Sequence, residues 1–101
     1  MTYPDVGKVA KICKALSDPT RLRIFLLLAE RTLCVNAIVN FLNISQPAVS
    51  QHLKILREAD LVKVKKRGYW MHYSANSGRI KEITDIFLKI LRKEDILSVK
   101  I

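Results

Sequence analysis

Residues 44–57 read ISQPAVSQHLKILR, and this stretch decides the fold of the chain. Ser45 is a typical helix N-cap, because its hydroxyl can accept a hydrogen bond from a free backbone N–H group of the first turn. Pro47 falls inside that first turn, where its missing N–H group costs nothing. Apolar residues that would face a core follow at helical spacing, namely Val49, Leu53 and Leu56. The stretch therefore predicts a helix from Ser45 to about residue 59.

The other faces of this helix carry side chains that are long or small enough to meet base edges and phosphates in a DNA groove. They are Gln46, Ser50, Gln51 and Lys54. A helix that is polar on one side is also the usual form of a solvated surface helix. The flanking segments and the net charge favour its interpretation as a recognition helix.

The segment before it predicts a shorter helix from Val35 to Leu42, whose inward residues would be Ala37, Ile38, Phe41 and Leu42. Asn43 follows, and Asn tolerates the left-handed conformation that a tight turn needs. Two helices joined by a turn of about three residues form a helix-turn-helix, here at about residues 35–59.

The segment after the recognition helix changes its hydrophobic period from that of a helix to that of a strand. Apolar and polar side chains alternate over residues 62–65 and again over residues 69–74. The triplet Lys66-Arg67-Gly68 is the expected turn, since glycine adopts positive φ readily. We therefore predict a two-stranded hairpin, or wing, at about residues 62–74, with Trp70 and the tyrosines covering the core.

Three more amphipathic segments predict helices. The first runs from about Asp5 to Ser17, with its apolar stripe at Val6, Val9, Ala10, Cys13 and Leu16. The second begins at Asp18 and Pro19. Its residues from Leu22 to Ala29 are mostly apolar, with a continuous run from Ile24 to Ala29, which is typical of a central helix. The last runs from about Ser77 to Lys93 with its stripe at Ile80, Ile83, Ile86, Phe87, Ile90 and Leu91, and the tail 95–101 has no clear pattern.

The predicted fold is mainly α with a small β-hairpin (α+β), in the order α-α-α-α-β-β-α. A helix-turn-helix followed by a hairpin is a winged helix, and we expect a single winged-helix DNA-binding domain over residues 1–101. The first and last helices carry more apolar residues than so small a core needs, among them Val6, Val9, Cys13, Ile83, Phe87 and Ile90. A homodimer through these two helices would bury them and place two recognition helices about one DNA turn apart.

Composition narrows the class of partner. The chain of 101 residues contains 18 Lys and Arg residues and nine Asp and Glu residues, so its formal net charge is +9. This excess of positive charge favours a polyanionic partner such as nucleic acid. No apolar run approaches the roughly 20 residues of a membrane span, and residues 1–5 lack a signal-peptide pattern, so we expect a cytoplasmic protein without membrane partners. We also expect no enzyme, because the two histidines, His52 and His72, lie on different elements without evident catalytic partners.

Three segments together resemble the ArsR/SmtB family of small dimeric winged-helix repressors. They are residues 16–24, reading LSDPTRLRI, residues 42–62, and residues 67–73, reading RGYWMHY. The similarity extends over about residues 8–93. It implies a homodimer on the first and last helices, a double-stranded operator with two half-sites forming an inverted repeat, and release from DNA when an inducer binds.

The resemblance assigns DNA contacts residue by residue. Gln46, Ala48, Ser50 and Gln51 match positions that enter the major groove, where Gln can pair with adenine and Ala can meet a thymine methyl group. Ser45 is first of all a helix cap, and its hydroxyl could also face phosphate. Lys54 is expected at the DNA backbone. Arg57 is expected there too, with less support because acidic residues lie close to it.

Two further assignments stay open. The wing candidates are Lys65, Lys66 and Arg67, with Arg67 able to reach a narrow minor groove, although charged residues on an edge strand can also simply prevent aggregation. His52 is either a partly buried helix histidine with one nitrogen satisfied or a phosphate contact.

The inducer is not determined by the sequence. Family members that sense arsenic, cadmium or lead carry Cys-Val-Cys at the start of the third helix, where this chain has Cys34-Val35-Asn36. Zinc and nickel sensors use Asp and His on the last helix, which here contains Asp85 but no histidine. Cys13 and Cys34 could bind As(III) or another soft metal ion, form a redox-switchable disulfide, or be small buried hydrophobes.

The sequence therefore predicts a sequence-specific DNA-binding transcriptional regulator, a dimeric repressor that an inducer releases from its operator. The alternative from the same residues is a sequence-indifferent nucleic-acid-binding or architectural protein that uses the basic surface. A protein-interaction module that has lost DNA binding is a third interpretation, and the basic hairpin argues against it.

Overall fold

A computed structural model describes residues 6–92, which form five helices and one three-stranded antiparallel sheet. The elements are α1 (Val6–Ala15), α2 (Pro19–Glu30), β1 (Leu33–Cys34), α3 (Val35–Leu42), α4 (Gln46–Glu58), β2 (Val62–Arg67), β3 (Trp70–Ala75) and α5 (Ser77–Leu91). The predicted order of helices and hairpin is confirmed. The predicted tail at 95–101 lies outside the described residues.

One strand was missing from the predicted order. The two-residue strand β1 lies between α2 and α3 and pairs with β3, so the sheet order is β1-β3-β2. Two residues are too short to display a period, which is why the sequence pattern could not reveal this strand.

The core lies where α2, α3, α4 and the start of β2 meet. The predicted inner stripe of α4 is confirmed, because Val49, Leu53 and Leu56 are at most 2% exposed. The other side chains with less than 2% exposure are Ile12, Ile24, Ile38 and Leu61. The buried side of α4 is thus held from several directions, which leaves its polar side facing out.

The predicted inward faces of three helices need correction. In α1 the buried residues are Ile12 and Ala15, whereas Val6 and Cys13 of the predicted stripe are exposed. A helix with two apolar faces can pack through either one, and its period does not decide which.

Helices α2 and α3 differ from expectation for the same reason. Leu22 and Leu26 of α2 are exposed although its apolar run predicts a central helix, since only Ile24, Phe25 and Leu28 reach the core. Phe41 of α3 is 56% exposed instead of inward, and the Arg31 guanidinium lies 5.5 Å from its ring centroid.

The hairpin turn also differs from the predicted triplet. Arg67 pairs with Trp70, so the loop is Gly68-Tyr69, and Lys66 and Arg67 belong to strand β2. Gly68 has φ +62° at the first loop position, as the tight hairpin loops that begin with glycine require. Tyr69 is 98% exposed and Trp70 is also exposed, so of these aromatic residues only Tyr73 packs against the core as predicted.

The helices of residues 6–92 are all too short or too polar to cross a membrane.

Candidate nucleic-acid interface

The turn that aims α4 follows from two local signals. Asn43 adopts the left-handed conformation, with φ 53° and ψ 47°, and its N–H donates to the Val39 carbonyl at 2.8 Å. Ser45 then caps α4, because its Oγ accepts from the Ala48 N–H at 3.3 Å. Both features were predicted, and they are confirmed.

The exposed side of α4 carries the predicted contact residues. Gln46, Ser50, Gln51 and Lys54 are exposed, and Ala48 is partly buried beside them. Ser50 and Lys54 line a shallow groove together with Arg57 and Glu58. The Glu58 carboxylate in that groove offsets part of the positive charge of Lys54 and Arg57.

A hydrogen-bonded capping motif forms the C-terminal end of α4. Asp60 has φ 58°, its N–H donates to the Arg57 carbonyl at 2.9 Å, and the Leu61 N–H donates to the Leu56 carbonyl at 2.9 Å. These two bonds form a Schellman motif with Asp in the left-handed position that glycine usually occupies. The boundary of the recognition helix is therefore set by its own backbone.

Asp60 also connects the C-terminal end of α4 to α5. Its carboxylate pairs with the guanidinium of Arg79, which also donates to Glu82 at 3.0 Å. The hydrogen bond from Arg79 holds the pKa of the Asp60 carboxyl below its usual range. Asn76 adds a hydrogen bond from its side-chain amide to the Asp60 carbonyl at 2.9 Å. No local sequence pattern indicates this junction, because its partners are up to 19 positions apart.

His52 is anchored from α2. Its Nδ1 lies 3.2 Å from Nη1 of Arg21 and 4.0 Å from Oδ2 of Asp18, and its side chain is 19% exposed. Arg21 Nε also donates to the Ala15 carbonyl, so one guanidinium links the end of α1 to the middle of α4. Of the two interpretations of His52, this geometry supports the partly buried histidine with a satisfied nitrogen.

Asp18, which is the predicted N-cap of α2, contributes to the same junction. Its carboxylate accepts from the Arg21 N–H at 2.9 Å, and this hydrogen bond lowers the pKa of Asp18. The sequence identified the cap but not the role of Arg21, whose spacing to His52 is 31 positions.

The wing presents its cations on both sides. Lys65, Lys66 and Arg67 are exposed on β2, which is an edge strand of the sheet. Because side chains alternate along a strand, Lys65 and Arg67 lie on one face and Lys66 lies on the other. The positive charge of the wing is therefore divided between two faces and does not form one flat basic face.

The two cysteines lie on different elements. Cys13 is exposed on α1, and Cys34 is partly buried at the junction of β1 and α3. The interpretation of both as buried hydrophobes is wrong for Cys13, which faces outward because Ile12 and Ala15 take the inner face of α1. Within residues 6–92 there is no cluster of three or more His, Cys, Asp or Glu residues that could hold a metal ion.

Known proteins match the chain in sequence. Residues 18–64 match the bacterial regulatory protein, arsR family. An uncharacterized HTH-type transcriptional regulator of Methanocaldococcus jannaschii is 48% identical over 77 residues, which cover 75% of this chain and 86% of that protein. The transcriptional repressor SdpR of Bacillus subtilis is 33% identical over 84 residues, covering 83% and 93% of the two chains.

A third relative and a solved structure extend the likeness. A cadmium resistance transcriptional regulatory protein, the CadC homolog of Staphylococcus aureus, is 36% identical over 92 residues, covering 90% of this chain and 74% of that protein. An ArsR-like transcriptional regulator from Rhodococcus sp. RHA1 superposes with a TM-score of 0.79 at 25% identity, over 87% of this chain and 83% of that one.

Proposed function

The chain belongs to the ArsR family and is a DNA-binding transcriptional regulator, and from this premise we propose that it is a homodimeric repressor that reads an inverted-repeat operator. The observation that carries the proposal is the exposed polar side of α4, held in place by caps at both ends. The major-groove contacts are Gln46, Ala48, Ser50 and Gln51. The backbone and wing contacts are Ser45, Lys54, Lys65, Lys66 and Arg67.

Substitutions on α4 and on the wing test this assignment. Gln46→Ala should weaken operator binding by about tenfold and non-specific binding much less, since a base contact is worth roughly 1–3 kcal/mol. Lys66→Ala should weaken both and lower the salt slope by about one unit, because one phosphate contact is lost. Lys81→Ala on α5 is the matched control and should change neither. Unchanged operator affinity in the first two variants would refute the assignment.

Competition with random duplex separates this function from sequence-indifferent binding. The proposed repressor prefers its operator by a factor of about 1,000 or more, as specific regulators do. A ratio near one would favour the architectural interpretation.

The inducer acts, in this proposal, through thiols. The similarity to a cadmium resistance regulator supports a soft metal ion such as As(III) or Cd(II), and an oxidant is the second chemistry open to Cys13 and Cys34. Operator titrations with As(III), Cd(II), Zn(II) and an oxidant, repeated on Cys13→Ser and Cys34→Ser, test the idea. If no agent changes the affinity of the unsubstituted protein, thiol sensing fails.

A further inference from the structure

Strand pairing brings a thiol and an imidazole side by side. Cys34 of β1 is the direct partner of His72 of β3, in the antiparallel register that also pairs Leu33 with Tyr73. Directly opposed residues on antiparallel strands place their Cβ atoms about 4.5–5.5 Å apart on the same face of the sheet. The pair lies 38 positions apart in sequence and is created only by the strand β1 that the sequence did not predict.

The imidazole of this pair has an unused nitrogen. Nδ1 of His72 is buried and has no hydrogen-bond partner among residues 6–92. A buried polar atom without a partner is uncommon in folded proteins, and a bound ion is one of the arrangements that explains it. A neutral imidazole nitrogen with a free lone pair is a metal ligand.

The thiol of this pair lies at the start of a helix. Cys34 is the N-cap of α3, next to the backbone N–H groups at the positive end of that helix. The thiolate is the form of cysteine that binds metals.

From this pair we infer that Cys34 and His72 form a two-ligand site for a soft monovalent cation of the Cu(I) and Ag(I) class. Thiolate and imidazole both suit copper, and monovalent d¹⁰ ions accept two ligands in a linear arrangement. Binding forms one metal–sulfur and one metal–nitrogen bond, and it releases the Cys34 thiol proton to solvent.

Charge balance selects a monovalent ion over a divalent one. One thiolate and one monovalent cation give a neutral site, whereas Zn(II) or Cd(II) held by this pair alone, without the second thiolate of Cys13, would leave a net positive charge in a partly buried place. Lys65 is the partner of His72 on its other side, so a net positive site would also lie beside a lysine. Zinc, moreover, normally takes four ligands, and the pair supplies two.

Occupancy would tie the helix-turn-helix to the wing. Cys34 precedes α3, the first helix of that motif, and His72 lies in β3, the inner strand of the wing. Binding of the ion rests on the sheet register and on the unpartnered Nδ1 of His72, whereas a role in releasing DNA rests on the function proposed above.

The test uses Cys13→Ser as its parent protein, so that Cys34 is the only thiol. We expect the parent to bind one Ag(I) per chain. Adding either Cys34→Ser or His72→Gln to the parent should lower its Cu(I) affinity by about tenfold or more. Anaerobic competition with a Cu(I) chelator measures this affinity. Removing a residue that only hydrogen-bonds to a metal ligand lowers the metal affinity by about tenfold. Removing a ligand itself should therefore lower the affinity at least as much. Zn(II) should bind the parent far more weakly than Cu(I). Equal Cu(I) affinity with and without His72, or equal binding of Zn(II), overturns the inference.

Nitrogen NMR of the unsubstituted protein removes any dependence on how well the variants fold. The chain has two histidines, so His52 is the internal control. Ag(I) should shift the imidazole nitrogen signals of His72 and leave those of His52 in place, and an unshifted His72 contradicts the site. These measurements contain no DNA, so their failure leaves the operator titrations to decide the proposed function separately.

Discussion

Single side chains at the ends of α4 set the position of its exposed polar surface. Ser45 caps the first turn through its hydroxyl, and Asp60 ends the helix in a left-handed conformation that most residues avoid. Ser50, one turn into the helix, has the same hydroxyl but an exposed position on the polar side. The two serines therefore allow stability and recognition to be separated.

Ser45→Ala should lower the free energy of unfolding by about 1 kcal/mol, because the Ala48 N–H loses its acceptor. Urea denaturation measures the loss, and Ser45→Asp should recover most of it. Ser50→Ala is the matched control, with stability unchanged within about 0.5 kcal/mol and operator affinity reduced. Equal destabilisation by the two alanine substitutions would show that the cap contributes nothing particular.

Asp60 should make stability sensitive to acid. Its pKa in the folded protein lies below the unfolded value because Arg79 donates to the carboxylate. The stabilising contribution is therefore complete above the unfolded pKa and is lost as the pH falls through the folded pKa. Asp60→Asn keeps a residue that tolerates the left-handed conformation but removes the charge, so this variant should lose less stability than the parent on acidification.

Urea midpoints at neutral pH and at about pH 3 measure this difference. Asp85→Asn on α5 is the control, since that exposed carboxylate forms no ion pair within residues 6–92. A parent and an Asp60→Asn variant with the same acid dependence would contradict the role of the Arg79 pair.

At the scale of elements, the same glycine substitution should have opposite effects in the hairpin and in α5. Gly68 has φ +62° with open space around its missing Cβ, so an alanine there meets only backbone strain. Gly78 lies in the first turn of α5, where an added Cβ would contact only the Asn76 side chain at 3.8 Å.

Gly68→Ala should destabilise the protein by about 1 kcal/mol, the cost of placing a Cβ in the left-handed region. Gly78→Ala should stabilise it by about 0.5 kcal/mol, because alanine restricts the unfolded chain and fits a helix. Thermal or urea unfolding measures both. Shifts in the same direction would show that backbone conformation does not control these positions.

At the scale of the whole molecule, α5 lacks a complete partner. Its fifteen residues include no buried one in the described chain, and Phe87, Ile90 and Leu91 are 61%, 51% and 77% exposed. Val6 of α1 is exposed as well, and α1 contacts α5. A second copy of the chain on this surface is the arrangement proposed above, because monomers rarely expose so many large apolar side chains together.

Phe87→Asp should convert the proposed dimer into a monomer, because a charge would be buried at the interface. Sedimentation velocity measures the state, and operator affinity should fall by about 100-fold as the two half-sites lose their link. Phe41→Gln is the matched control, since Phe41 is an exposed aromatic residue of α3 and not of α1 or α5, and this variant should stay dimeric. A monomeric parent protein would end the dimer proposal.

Local signals were enough to predict the helix-turn-helix and the hairpin. Ser45, Asn43 and Gly68 act on backbone groups within a few positions of themselves, so residue type alone indicates the helix start, the turn between helices and the presence of a hairpin loop at Gly68, although not the bounds of that loop. The exposed polar residues of α4 follow from the same local pattern, because helical spacing separates them from the buried stripe. The sequence also supplied the family resemblance, which the matching relatives confirm.

Tertiary structure alone decided the faces and the long-range partners. Which side of α1 packs inward, the pairing of Arg21 with His52, the Asp60–Arg79 junction and the register that joins Cys34 to His72 all depend on contacts between distant segments. A hydrophobic period states that a helix has an apolar side, but not which neighbour will cover it. Those choices are made by the competition of all segments for one core, and no single stretch of the chain contains that information.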